Sequence, residues 1–169
     1  MLLERAGCDE SAISHSRTVK KIAEELAKVF VADIRLVVAG AMLHDIGKAK
    51  DDTLMHANIG ADMAEELSLP EDLVSIIRKH IGAGIDDKDA SERGLPDFDY
   101  IPRTIEEMIV AQSNNMVCGD KIVNHSHSVE KFKATGLHRS AERIEAMHRT
   151  LSERYGKDLD EKAASLFSE

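Results

Sequence analysis

The chain has 169 residues, 43% of them hydrophobic, which suits one domain with a buried core and excludes a disordered tail. It carries 22 basic and 31 acidic residues, a net charge of −9, which argues against a general binder of nucleic-acid polymers or membrane surfaces because both are polyanions. Two cysteines, Cys8 and Cys118, give no disulfide framework, no apolar run reaches the length of a bilayer span, and the opening residues are too short and too charged for a signal peptide, so a cytoplasmic protein is expected.

A 3.6-residue hydrophobic period dominates and strict alternation is absent, so the chain reads as all-α. A first helix is predicted over residues 10–30, capped by Asp9, with Val19, Ile22, Leu26 and Val29 on its apolar stripe. A second runs from its cap Asp33 to about His44, apolar almost all round as a central helix is, with Gly47 as its C-cap. After a polar loop, a third helix covers about 58–67, and Pro70 opens a fourth that runs to about 81. Residues 82–103 hold three glycines and two prolines and read as a long loop able to act as a lid. Thr104 and Glu107 form a capping box for a fifth helix over about 105–118. Beyond Gly119, residues 124–169 form a more polar C-terminal extension with helices near 129–134, 138–155 and 159–167, the last capped by Asp158. The amphipathic extension leaves a homodimer open, and His125, His127, His138 and His148 show no ligand spacing.

Eight histidines is a high count, and four of them fall on apolar helix faces. His15 is followed by Val19, Ile22 and Leu26 at helical spacing, His44 shares a face with Val37 and Ala41, His56 leads a stripe through Met63 and Leu67, and His80 follows Leu73, Ile76 and Ile77. One inward imidazole is ordinarily a hydrogen-bonded core residue. Four, each costing about 1–3 kcal/mol if buried without a partner, call for a common one. Asp45 stands beside His44, and imidazole with carboxylate is a donor set for divalent iron, manganese, nickel, cobalt or zinc.

The phrase Ala-Gly-Ala-Met-Leu-His-Asp-Ile-Gly-Lys, ending at Lys48, resembles the HD-domain metal-dependent phosphohydrolases, in the subgroup whose motif reads His-Asp-Ile-Gly, and most of all a small archaeal branch of it. The resemblance runs from about His15 to Val123 and implies an all-helical bundle around a metal site, with residues 1–169 forming a single domain of this type. It implies His15, His44 and Asp45 as ligands of a first cation, His56 and His80 as ligands of a second, and Asp45 as the carboxylate touching both. It further implies one or two divalent ions and an activated water attacking a small phosphorylated substrate such as a nucleotide; Lys48, one turn past His44, reads either as a group reaching a phosphate oxygen or as an exposed charge just after a helix. His56 and His80 resemble the two-metal branch, which includes dinucleotide hydrolases and cyclic phosphodiesterases; the mononuclear 5′-nucleotidases of the same fold use no such pair. The family's last aspartate falls at Asn114, an amide that ligates without charge and so weakens the site, with Asp120 six residues on as the next acid. That departure leaves room for a degenerate domain binding metal or nucleotide without catalysis. Arg78 and Lys79, flanking His80, read as a solvated face.

Overall fold

A computed structural model describes residues 2–168. The regular elements of the described residues are helical apart from one two-stranded hairpin, in the order α1 (Leu2–Ala6), α2 (Glu10–Phe30), α3 (Ile34–Leu43), a 3₁₀ turn (Ile46–Ala49), α4 (His56–Glu66), α5 (Glu71–Lys79), α6 (Asp87–Glu92), α7 (Ile105–Asn115), β1 (Val117–Cys118), β2 (Lys121–Ile122), α8 (Ser126–Ala134), α9 (His138–Tyr155) and α10 (Leu159–Ser165). The all-α reading holds.

The local chemistry sets the helix starts. Asp9 accepts from the Ala12 nitrogen, Asp33 from those of Arg35 and Leu36, and Asp158 from those of Asp160 and Glu161. Thr104 and Glu107 close their capping box. The apolar faces of α2, α3, α5 and α7 meet in one core through Val19, Ile22, Leu26, Val37, Ala41, Ile76, Ile109 and Val110, and Leu151 of α9 and Leu159 of α10 cover it. A second cluster joins Leu3, Ile13, Ile46, Ala61, Leu73 and Ile77. Val29 falls outside the first core and is half exposed, because α2 ends at Phe30 and the chain leaves through Val31 in the left-handed region, φ 55°.

Several expectations are corrected. Gly47 does not cap α3. It is buried inside the 3₁₀ turn, where a Cβ would overlap the His56 carbonyl oxygen and stand 2.6 Å from the Gly60 nitrogen. Residues 82–103 are no free lid. They hold α6, and Ile85, Ala90, Leu95 and Tyr100 pack on Ala57, with the Tyr100 hydroxyl donating to the Pro96 carbonyl at 2.7 Å. The fifth predicted helix stops at Asn115, not near residue 118, and the chain turns into the β1–β2 hairpin, pairing Val117 with Ile122 and Cys118 with Lys121. Gly119, at φ +59°, and Asp120 make its two-residue turn. Arg78 and Lys79 are not a solvated face. Arg78 lies 3.1 Å from Glu65 and over the Phe98 ring, and Lys79 lies 3.1 Å from Glu107.

Candidate metal centre

Helix ends place most of the centre. His44 is the C-cap of α3, His56 opens α4 and His80 is the C-cap of α5, while His15 lies in the second turn of α2. Each imidazole is aimed in the same way. The His44, His56 and His80 Nδ1 atoms donate to the carbonyls of Ala41, Thr53 and Ile77 at 2.8, 2.6 and 2.7 Å, each three residues back in the chain. His15 Nδ1 donates to the Gly119 carbonyl of the hairpin turn at 2.6 Å. A carbonyl only accepts, so the hydrogen sits on Nδ1 and the Nε2 lone pair of each neutral ring faces inward. This is the orientation that ligating histidines need.

The four Nε2 atoms surround Asp45, which is 2% exposed. Oδ1 of Asp45 lies 3.2 Å from His56 Nε2 and 3.3 Å from His80 Nε2. Oδ2 lies 3.5 Å from His15 Nε2 and 3.4 Å from His44 Nε2. One carboxylate thus divides its oxygens between two imidazole pairs. Asn114 joins the first pair, its Oδ1 2.9 Å from His15 Nε2. Asp120 does not join: it sits exposed in the turn, where its carbonyl accepts from the Thr18 hydroxyl at 3.1 Å. Lys48 reaches in from the 3₁₀ turn with Nζ 2.6 Å from Asp45 Oδ2.

Electrostatics fit a donor set for cations. Burial, then the neighbouring His44, pushes His15 below its ordinary pKa. Burial pushes His80 down to about 4 despite the Asp45 carboxylate beside it. Burial opposes ionisation of Asp45, but the neighbouring His44, first among the imidazoles around it, outweighs it and holds the carboxyl well below the usual range. His15 and His80 held neutral beside an ionised carboxylate are in the protonation state in which such groups ligate. Two further observations are compatible with a cation there. His44 Nε2 is buried with no hydrogen-bond partner, and His56 Nε2 and His80 Nε2 face each other at 3.0 Å, two lone pairs that repel unless something positive bridges them. Two groups of donors are therefore able to hold a divalent metal, His15 with His44 and Asp45, and His56 with His80 and Asp45, and Asn114 stands beside the first.

The centre opens on a cleft of about 700 Å³ that also takes in Lys48, Arg93, His127 and Lys131. His127 was expected among residues without a site role, and α8 turns it toward this cleft instead. His125 does not line it. Its backbone N–H and ring Nδ1 meet the two carboxylate oxygens of Asp160 at 2.9 and 2.7 Å. Its ring stacks on His148 with centroids 3.6 Å apart and planes within 9°. Two stacked rings cannot aim in-plane lone pairs at one ion, so this second His/Asp cluster is a clasp and not a chelate. It fastens the start of α8 to α9 and α10. The sequence held a signal for the hairpin that aims His15, since Gly-Asp between short β-prone pairs is a two-residue turn. The clasp left none, because its members lie 35 and 23 residues apart.

A family model for the HD domain matches residues 12–165. The chain is 44% identical over 160 residues to a tRNA (cytidine(56)-2′-O)-methyltransferase of Thermoplasma volcanium, covering 95% of this chain and 47% of that protein. It is 40% identical over 131 residues to an uncharacterised protein of Methanocaldococcus jannaschii, covering 75% of this chain and 78% of the other. The chain spans about half the length of the first of these relatives. Among solved structures it is similar to the HD domain of the Listeria monocytogenes phosphodiesterase PgpH in complex with cyclic-di-AMP, with a TM-score of 0.61, 17% identity, and coverage of 95% of this chain and 93% of the other. That likeness shows the fold, and the family match extends over nearly all of the chain: the chain belongs to the HD domain family.

Proposed function

We propose that this chain is a metal-dependent phosphohydrolase acting on a small phosphorylated substrate of nucleotide type, with one or two divalent ions (iron, manganese, nickel, cobalt or zinc) held by His15, His44, Asp45, Asn114, His56 and His80. The observation that carries the reading is the division of the Asp45 oxygens between the His15–His44 pair and the His56–His80 pair. A bridging carboxylate needs such an arrangement, and it favours two ions over the single ion of a mononuclear nucleotidase. Bound there, divalent ions would supply a nucleophile at neutral pH and neutralise phosphate charge.

The protein's own part is positioning. The Nδ1 tethers fix each ring before any ion arrives, so little ordering entropy is left to lose on binding. Asp45 balances the cationic charge from a site that is 2% exposed. Lys48 is the side-chain cation nearest the ligands, and we place its ammonium on a phosphate oxygen of bound substrate. The nucleotide class draws support from the dinucleotide held by the PgpH HD domain. A cleft of about 700 Å³ lies within the range of small-molecule sites.

The test is metal content of the purified full chain and turnover of bis(p-nitrophenyl) phosphate with manganese, iron(II), cobalt, nickel or zinc added. Metal near two equivalents with turnover supports the reading, and a chain that takes up no metal and stays inert overturns it. Asn114 favours a second reading, a domain that binds metal or nucleotide without catalysis: with its amide rotated, Asn114 donates an N–H to His15 Nε2 and satisfies that ring without an ion. Tight metal binding without turnover of any phosphoester would select it.

A further inference from the structure

We infer that the cleft contains a second anion subsite, built by Lys131 and His127 of α8 together with Arg93 after α6, and that it takes a second phosphate of the same substrate. The inference rests on the phosphohydrolase reading and narrows its substrate class to compounds with a phosphate beyond the scissile one.

The charges of the cleft are sorted by wall. The carboxylates lining it, Asp9, Asp45 and Asp52, all come from the first third of the chain. From His80 onward the lining residues include Arg93, His127 and Lys131 and no carboxylate. In a chain of net charge −9, a wall with cations and no acid is not what chance supplies. Lys131 and His127 are one helical turn apart and share a face of α8. The adjacent Lys133 is taken up by Glu130 at 3.0 Å, whereas Lys131 has no ion pair among the described residues. Arg93 gives one Nη2 hydrogen to the Thr135 carbonyl at the end of α8, which anchors the guanidinium against that helix and leaves further N–H donors.

This wall stands next to the metal ligands. Phe132 of α8 packs on Gly82, two residues past His80, so closely that a Cβ on Gly82 would come within 2.8 Å of its ring. The far end of α8 is fixed by the Asp160 carboxylate on His125. The subsite is therefore rigid where it meets the centre, and a flexible lysine with an anchored guanidinium suits a phosphate reached at slightly different spans.

Two dinucleotides that differ by one phosphate test this: ApA and its 5′-phosphorylated form pApA, offered to the metal-loaded full chain and to the Lys131→Ala/Arg93→Ala double variant, both substitutions being at exposed positions. The wild type should show a KM for pApA at least tenfold below that for ApA, and the double variant should bring the ratio to within about twofold of one. Equal KM values in the wild type, or an unchanged ratio in the variant, overturn the subsite. Calorimetric binding of pApA to both proteins separates the two proposals. Binding lost in the variant, with no turnover of either dinucleotide or of bis(p-nitrophenyl) phosphate by either protein, upholds the subsite and refutes the hydrolase; binding equal in both proteins refutes the subsite whatever the turnover.

Discussion

Replacing Gly47 with alanine should be among the costliest single changes in the chain. The added methyl would overlap the His56 carbonyl oxygen and lie 2.6 Å from the Gly60 nitrogen. Both obstacles are backbone, so no side-chain rotation relieves them, and the 3₁₀ turn must move away from the start of α4. Overpacking ordinarily costs about 1–3 kcal/mol, and a backbone clash belongs at the upper end, about 3 kcal/mol. For a chain of this size that is roughly 6–12 °C in Tm, at about 2–4 °C per kcal/mol. Gly60→Ala is the graded comparison. Its methyl would meet Ile77 Cγ2 at 3.0 Å, the end of a side chain, and the Gly47 nitrogen at 3.1 Å, so about half the loss is expected. Thermal unfolding followed by circular dichroism, at fixed metal content, measures both. A Gly47→Ala protein within 2 °C of wild type, or one more stable than Gly60→Ala, would refute the steric argument.

The two halves of the centre should empty separately: His15→Ala and His56→Ala should each lose about one bound equivalent by elemental analysis, and Asp45→Ala both. Equal losses from all three would contradict a shared carboxylate. Asn114→Asp restores a charge to the first half and should tighten its ion about tenfold or more by calorimetric titration, an effect of the size that charged ligands confer; no change would mean the amide does not ligate. For Asp86, burial works against ionisation, but the Asp89 backbone N–H and the Arg139 guanidinium outweigh it and hold its pKa near about 2. A depressed carboxylate stabilises the fold above its unfolded value near 3.8 and loses that contribution as pH falls toward 2. Discounted for solvent screening, it amounts to about 1 kcal/mol. The gap in urea midpoint between wild type and Arg139→Ala should therefore be full at pH 6 and shrink below pH 4; a gap constant with pH would exclude the pairing as its source.

The long helices were legible because their signals are local and redundant. Asp9, Asp33 and Thr104 cap where the polar-to-apolar change predicts, and the stripes they start form the observed core. The inward direction of His15, His44, His56 and His80 followed from helical spacing, which the long, regular α2 and the neighbouring α3, α4 and α5 obey. What stayed hidden depends on pairing across the chain. The role of Gly47 is set by the distant His56 carbonyl and not by the end of α3, so a glycine after an apolar run read as a cap. Residues 82–103 carry loop composition yet find a core through Tyr100 and Ile85. Arg78 reads as solvated until Glu65 and Phe98 are brought to it. The cleft wall on α8 was beyond reach for the same reason: only the contact of Phe132 with Gly82 reveals that the C-terminal helices stand beside the centre.

Three of the four imidazoles borrow their orientation from a carbonyl three residues back, while His15 takes its own from Gly119, 104 positions later. The first three tethers are local in the chain, whereas the fourth needs a segment that the ribosome makes much later. His15, although first to leave the exit tunnel, is the last to be aimed. A nascent chain halted before Gly119 would lack the carbonyl that aims His15, so ordering of the fourth ring is coupled to completion of the segment that closes the turn.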